Sequence, residues 1–212
     1  MNKKRLLPVL LLTLLLCLSG CGQELQISQP SQPEQPIETP ATQAGEQDQY
    51  KTDPVPAGKP QPVEPQNSQV TDTAYSCTIS ISCATILDNM DLVEDQKKPL
   101  VPAGGWLLPE TTVTFYDGES VFDVLLRVCK ENKLHMEYMD TPMYNSAYIE
   151  GIGNLYEFDV GPLSGWMYKV NEWFPNYGCS RYALKDGDVI CWVYTCDLGA
   201  DVGDNSMGGQ AQ

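Results

Sequence analysis

A chain of 212 residues with 28 Asp and Glu against 13 Lys and Arg carries a formal charge of −15, and three of its basic residues, Lys3, Lys4 and Arg5, fall in the first five positions. Such a balance repels a phosphate backbone and an anionic lipid surface alike, because each is held by clustered Lys or Arg, so nucleic acid is set aside as a partner. The first third is too polar to contribute a core, which leaves one folded domain.

The N-terminus, MNKKRLLPVLLLTLLLCLSGCGQ, is basic, then apolar, then rich in small residues. This is the layout of a secretory signal over residues 1–20, and its apolar run is shorter than the roughly 20 residues that cross a bilayer. Leu18, Ser19, Gly20 and Cys21 resemble the lipobox of bacterial lipoproteins. That resemblance implies an exported chain, acylated at Cys21 and anchored by lipid to the outer face of the bacterial cell membrane without spanning it. From 21 to 73 the chain is dominated by Pro, Gln, Glu, Ser and Thr, with nine Pro and eleven Gln between Gly22 and Asp72. Such a stretch cannot bury enough apolar surface to offset the entropy of ordering, and it reads as a disordered, partly polyproline linker. Residues 205–212 read as a flexible tail.

The folded part is expected over residues 74–204. SCTISISCATIL (Ser76 to Leu87) alternates and is rich in β-branched residues, predicting a strand. TTVTFY (Thr111 to Tyr116) predicts a second, ended by the Asp117-Gly118 turn. In SVFDVLLRVCKEN the residues Val121, Phe122, Leu125, Val128 and Cys129 fall at helical spacing, and Ser120 with Asp123 makes a capping-box-like start. KLHMEYMD, AYIEGI and GWMYKVN predict strands, and DGDVICWVYTC a turn and a final strand. One helix on a mixed sheet is an α+β layout.

The motifs SGWMYKVN, FPNYG and YALKDGDVICWVYTCDLG, in this order, are similar to those of the transcobalamin-like C-terminal domain family. That family occurs in exported bacterial proteins and is related to the small β-rich domain of transcobalamin and intrinsic factor. The resemblance covers Tyr75 to Asp201 and implies a β-grasp-like fold of the soluble-ligand-binding kind, with corrinoids as the ligand class and no cofactor required. It departs from the family at Asn171-Glu172, where the pattern has Asn-Gly. Two positive φ angles would strain a Glu, so a longer turn is expected.

Four groups of residues invite chemistry. In the aromatic hairpin, the period of two sends Trp166, Tyr168 and Val170 to one face, read as core, and Met167 and Lys169 to the other. Trp173, Phe174 and Tyr177 lie in the loop beyond and are the first choice for a recognition surface, since exposed aromatics offer rigid contact area. Leaving out Cys17 and Cys21, six cysteines remain, an even number suited to disulfides in an exported domain. The parallel first and last strands of the implied β-grasp would bring Cys83 and Cys196 together; Cys129 with Cys191 is a weaker pairing, and free buried thiols are equally consistent. Asp197, Asp201 and Asp204 fail the EF-hand spacing and read as an acidic solvated tail, so no metal site is assigned. With a single His, and without GxSxG, HExxH or a Walker loop, no enzyme is expected.

Two functions follow. One is a lipid-anchored capture protein for a small molecule, with Trp166, Tyr168, Trp173, Phe174 and Tyr177 in contact with the ligand and a transporter, second binding subunit or dimer completing the pocket. The other is a surface adhesion or protein-interaction module whose aromatic loop meets a protein partner.

Overall fold

The computed structural model describes residues 46–204 and 206. The signal segment, Cys21, the linker as far as residue 45 and nearly all of the tail lie outside the described residues. Strands β1 (Ala74–Ser82) and β2 (Trp106–Tyr116) form an antiparallel pair. The helix α1 (Val121–Glu131) follows, then β3 (Met136–Thr141), β4 (Ser146–Ile152), β5 (Leu155–Tyr156), β6 (Gly165–Val170) and β7 (Val189–Thr195). The main sheet has the order β2-β1-β7-β6, with β1 parallel to β7 and the other pairs antiparallel; β3-β4-β5 form a second sheet. This is the expected α+β arrangement, a β-grasp-like mixed sheet with one packed helix.

The alternation of β1, β6 and β7 explains which face is covered. Cys77, Ile79 and Ile81 on β1 point with Tyr168, Val170, Ile190 and Trp192 into one cluster, where they meet Val121, Val124, Leu125 and Val128 of α1. The helix starts where the sequence places it: Ser120 Oγ accepts from the Asp123 N–H at 3.3 Å while the Asp123 carboxylate accepts from the Ser120 N–H at 2.8 Å, a reciprocal capping box. Arg127 then ties α1 to β2, donating to the Thr114 carbonyl at 2.8 Å and pairing with the buried Glu119.

Three expectations are corrected. The first strand ends at Ser82, and Ala84–Asn89 is a 3-10 turn. Local side-chain bonds compete with the ladder there, as Ser82 Oγ accepts from the Ala84 N–H and Asn89 donates to the Thr85 carbonyl. Second, all six described cysteines are free thiols, so the bond between Cys83 and Cys196 is not formed. Ser82 faces Val193 in the β1–β7 register. Cys83 lies one position past the end of β1, where the chain turns into the 3-10 segment, and Cys196 one position past the end of β7. Burial also pushes the Cys83 thiol up to about 11, which starves thiol exchange of thiolate. Cys191 alternates with Ile190 and Trp192 and so faces away from Cys129 and α1.

Third, Asn171-Glu172 is a two-residue turn after all. Their φ angles are +50° and +61°, and Val170 and Trp173 exchange both backbone hydrogen bonds at 2.9 and 3.1 Å. The strain is held by neighbours: the Asn171 side chain donates to Asp188 and accepts from the Val189 N–H, and Glu172 pairs with Lys169 at 2.6 Å. Glu172→Gly should therefore raise stability by about 1 kcal/mol, the size of the left-handed penalty, read as a higher urea midpoint at constant slope.

Candidate functional site: a cleft walled by an ordered strap

Residues 46–73, expected within the disordered linker, are laid as a strap against the domain. The reason is one cation. Arg181 is 1% exposed and directs its whole guanidinium into the strap: to the Thr52 hydroxyl at 2.6 Å, Asp48 at 2.7 Å, Glu64 at 3.1 Å and the Val63 carbonyl at 3.4 Å. The Tyr50 ring lies beside it, 5.1 Å from centroid to guanidinium carbon. A buried charge must be paired or pay several kcal/mol in desolvation, so these contacts order a segment whose composition alone would leave it loose.

Asp48 shows the electrostatic consequence. Burial acts to raise its pKa, but hydrogen bonds from Arg181 and from the Thr52 and Tyr50 N–H groups outweigh it and hold the carboxyl below its ordinary value of 3.8. A depressed folded-state value means that this contribution is complete above the unfolded value and is lost as pH falls through the lowered one. Strap docking should thus persist down to about pH 4 and fail below it, as read by exchange of the Val63 amide, which donates to the Arg181 carbonyl at 2.9 Å.

Of the aromatic residues singled out by sequence, Trp166 and Tyr168 pack in the core and Trp173 and Tyr177 meet the strap, while Phe174 lies against Lys169. Tyr168 is buried and donates its hydroxyl to the Tyr177 carbonyl at 2.8 Å; burial raises its pKa far above the tyrosine range. Trp166 is half-buried, packs edge-on to Tyr194 and donates its indole N–H to the Leu155 carbonyl at 2.8 Å. Tyr177, expected at an exposed recognition surface, is buried and donates to the Pro60 carbonyl at 2.8 Å, and Lys59 lies 5.3 Å from the Trp173 ring. Phe174 is half-buried with the Lys169 ammonium 5.9 Å from its ring. The picture of a bare aromatic loop is corrected at Trp173 and Tyr177, which the strap meets through Lys59 and Pro60.

Beside the strap opens a cleft of about 520 Å³. One wall is strap (Pro65, Ser68, Val70), a second is the entry to α1 (Ser120, Phe122, Asp123), and a third is the β3–β4 hairpin with Ser180 behind it. Asn145, at φ +48°, joins hairpin to strap by donating to Glu64 and to Gln66 at 3.0 Å. The floor is hydroxyl: Ser146 and Ser180 Oγ are 3.0 Å apart, and Ser180 Oγ also accepts from the Ala147 N–H at 3.0 Å. Two glycines permit the close approach. A Cβ on Gly178 would lie 1.8 Å from Ser146 Oγ, and one on Gly118, at φ +91°, would lie 2.2 Å from the Gln69 carbonyl oxygen.

Chemically the cleft offers hydroxyls, one amide and two carboxylates, those of Asp123 and Asp140, together with the Phe122 ring; among the described residues no Lys, Arg or His lines it. It suits a neutral or cationic ligand bearing hydroxyls or amides and disfavours an anion. Of its lining residues only Gly118 of the turn, the capping pair Ser120 and Asp123, and Phe122 on the helix stood out in the sequence, because the lining comes from four separate stretches without a shared motif. The acidic tail is likewise spent on structure, since Asp201 accepts from the Thr195 hydroxyl and from the Cys196 N–H at 2.7 Å.

No curated protein matches the chain. Among solved structures, haptocorrin in complex with Cbi is 14% identical at a TM-score of 0.45, covering 60% of this chain and 26% of its own, so the likeness spans about a quarter of haptocorrin. A protein of Ruminococcus gnavus provisionally described as metal-binding is 15% identical at a TM-score of 0.35, covering 57% of this chain and 96% of its own. Residues 118–196, from the turn before α1 to the end of β7, match the model of a domain of unknown function, DUF4430.

Proposed function

We propose that this protein is an exported binding module, anchored by lipid at Cys21, that captures a soluble small molecule in the cleft between strap, helix entry and β3–β4 hairpin. The observation that supports it is the cleft itself: about 520 Å³, within the ~300–1,000 Å³ of small-molecule sites, with polar groups converging on an aromatic face. Corrinoids are the ligand class implied by the sequence motifs, and the carboxamides fringing a corrin are neutral hydrogen-bonding groups of the kind this lining accepts. A macrocycle would enter only by its edge, leaving its far side to a transporter or second subunit. In this reading Tyr168, Trp166 and Tyr177 support the site from behind, and Trp173 and Phe174 do not touch the ligand.

The test is calorimetric titration of the full chain with cobinamide and cobalamin. Saturable binding tighter than about 10 μM, near −7 kcal/mol, is expected. Ser68→Trp, placing an indole into the cleft from an exposed strap position, should weaken it at least about tenfold, whereas Trp173→Ala should leave it within about twofold. Absence of heat with both ligands removes the corrinoid; binding that ignores Ser68→Trp and fails with Trp173→Ala moves the site back to the aromatic loop.

A further inference from the structure

The strap has the features of a bound peptide. Between residues 46 and 64 it contains no helix or strand, and its sequence carries Pro54, Pro56, Pro60 and Pro62 between the acidic anchors Asp48 and Glu64. It contributes one backbone N–H to the domain in this stretch, that of Val63. The other bonds are made by domain side chains to strap carbonyls, carboxylates and one hydroxyl: the Tyr177 hydroxyl to Pro60, Asn176 Nδ2 to the Asp53 carbonyl at 2.9 Å, Asn145 to Glu64, and Arg181 to Asp48, the Thr52 hydroxyl, the Val63 carbonyl and Glu64. Aromatic rings and side-chain donors reading the carbonyls of an extended proline-rich segment are a recurring mode of peptide recognition.

The receiving surface is built by the domain. Trp173 packs on Tyr177 at 6.0 Å, Tyr177 on Tyr182 at 6.2 Å and Tyr182 on Tyr168 at 6.4 Å, so the groove is the outer layer of the aromatic core. Arg181 sits in this layer, and among the described residues every side-chain hydrogen bond it makes goes to the strap. In a chain with 28 acidic residues, the only carboxylates that pair with this buried cation among the described residues are those of the strap, Asp48 and Glu64. The groove therefore selects an acidic partner segment, with or without a covalent connection to it.

We infer that the groove of Trp173, Tyr177 and Arg181 is a recognition site for an acidic, proline-rich extended segment, and that residues 46–67 of a second copy of this chain occupy it in exchange for the chain's own strap. The connection to β1 passes through residues 68–73, and swinging about it carries the anchors Asp48 and Glu64 to the groove of a second copy, the arrangement of a swapped dimer. The covalent strap competes at its effective concentration, so exchange is favoured where copies are crowded or where one strap is weakened. Exchange does not depend on the cleft's ligand, although the exchanged segment carries Pro65 of the cleft wall with it.

Two full-length variants test it by complementation. Asp48→Asn with Glu64→Gln keeps the groove and disables the strap; Arg181→Gln keeps the strap and disables the groove. Each alone is expected to sediment as a monomer, and the mixture as a 1:1 complex, since only the mixed pairing places an intact strap on an intact groove. A mixture that remains monomeric overturns the inference. If Arg181→Gln fails to fold, as judged by circular dichroism, a synthetic peptide of residues 46–67 replaces it. The peptide should bind the strap-disabled chain and raise its melting midpoint, bind wild type at least about tenfold more weakly because the site is filled, and lose binding when it carries Asn and Gln at its own anchors. No saturable binding, or binding indifferent to those two acids, overturns the inference equally.

Discussion

Replacing Arg181 by leucine is expected to lower the stability of the domain by about 3 kcal/mol and to release the strap. Breaking a buried charge pair by removing one partner costs about 3–5 kcal/mol, because the survivor is left unpaired. Here the survivors are Asp48 and Glu64, whose side chains are 20% and 18% exposed and lie on a segment able to swing into water. That escape limits the global loss to the lower end of the range and concentrates the damage locally. The urea midpoint should fall at an unchanged slope, and the Val63 amide should lose its protection. Arg181→Lys should recover only part, since an ammonium cannot reach two carboxylates, a hydroxyl and a carbonyl in the planar spread of a guanidinium. A midpoint unmoved by Arg181→Leu, with Val63 still protected, would overturn the account of why the strap is ordered.

Gly178→Ala is the second large effect, and it works through volume. The added Cβ meets Ser146 Oγ at 1.8 Å and Ser146 Cβ at 2.4 Å, closer than any rotation of the hydroxyl can relieve. The β3–β4 hairpin must shift, at the upper end of the ~1–3 kcal/mol that overpacking costs. Because Ser146 and Ser180 form the cleft floor, ligand binding should fail together with stability. The compensating change is specific: Ser146→Gly in the same chain removes both contacting atoms and should restore most of the loss, whereas Ser146→Ala leaves the Cβ contact and should restore little. The two positions touch, so a double-mutant cycle should show coupling well above the ~0.5 kcal/mol scatter of independent sites. Additive effects would mean that the close approach is not what Gly178 provides.

Much of the scaffold was legible because local rules and global fold agree there. The Ser120–Asp123 box and the spacing of Val121, Leu125 and Val128 announce α1, and the alternation through Trp166, Tyr168 and Val170 announces β6 and its buried face. The strap was misread because compositional reasoning sums over a segment and has no access to Arg181, 133 positions beyond Asp48. The exposure assigned to Trp173 and Tyr177 failed for the same reason, since their cover lies in the stretch taken for linker. Asn171-Glu172 looked incompatible with a tight turn because turn rules price each residue alone, while the bonds from Asn171 to Val189 and Asp188 come from the neighbouring strand and its approach. The cleft was invisible for a different reason: its residues converge only after the strap, the helix entry and the hairpin have docked, and hydroxyl side chains at unrelated positions form no pattern in one dimension.

The order of contacts along the strap also sets how the domain answers a mechanical load. A pull arriving from the N-terminal side reaches Asp48 and Thr52 first, then Pro60 and Val63, then Glu64, and only afterwards Pro65 and Ser68 at the cleft wall. The Arg181 contacts therefore come under load before the cleft wall does, and the wall keeps anchors of its own beyond them, Asn145 on Gln66 at 3.0 Å and the Thr71 N–H on the Asp117 carbonyl at 2.9 Å.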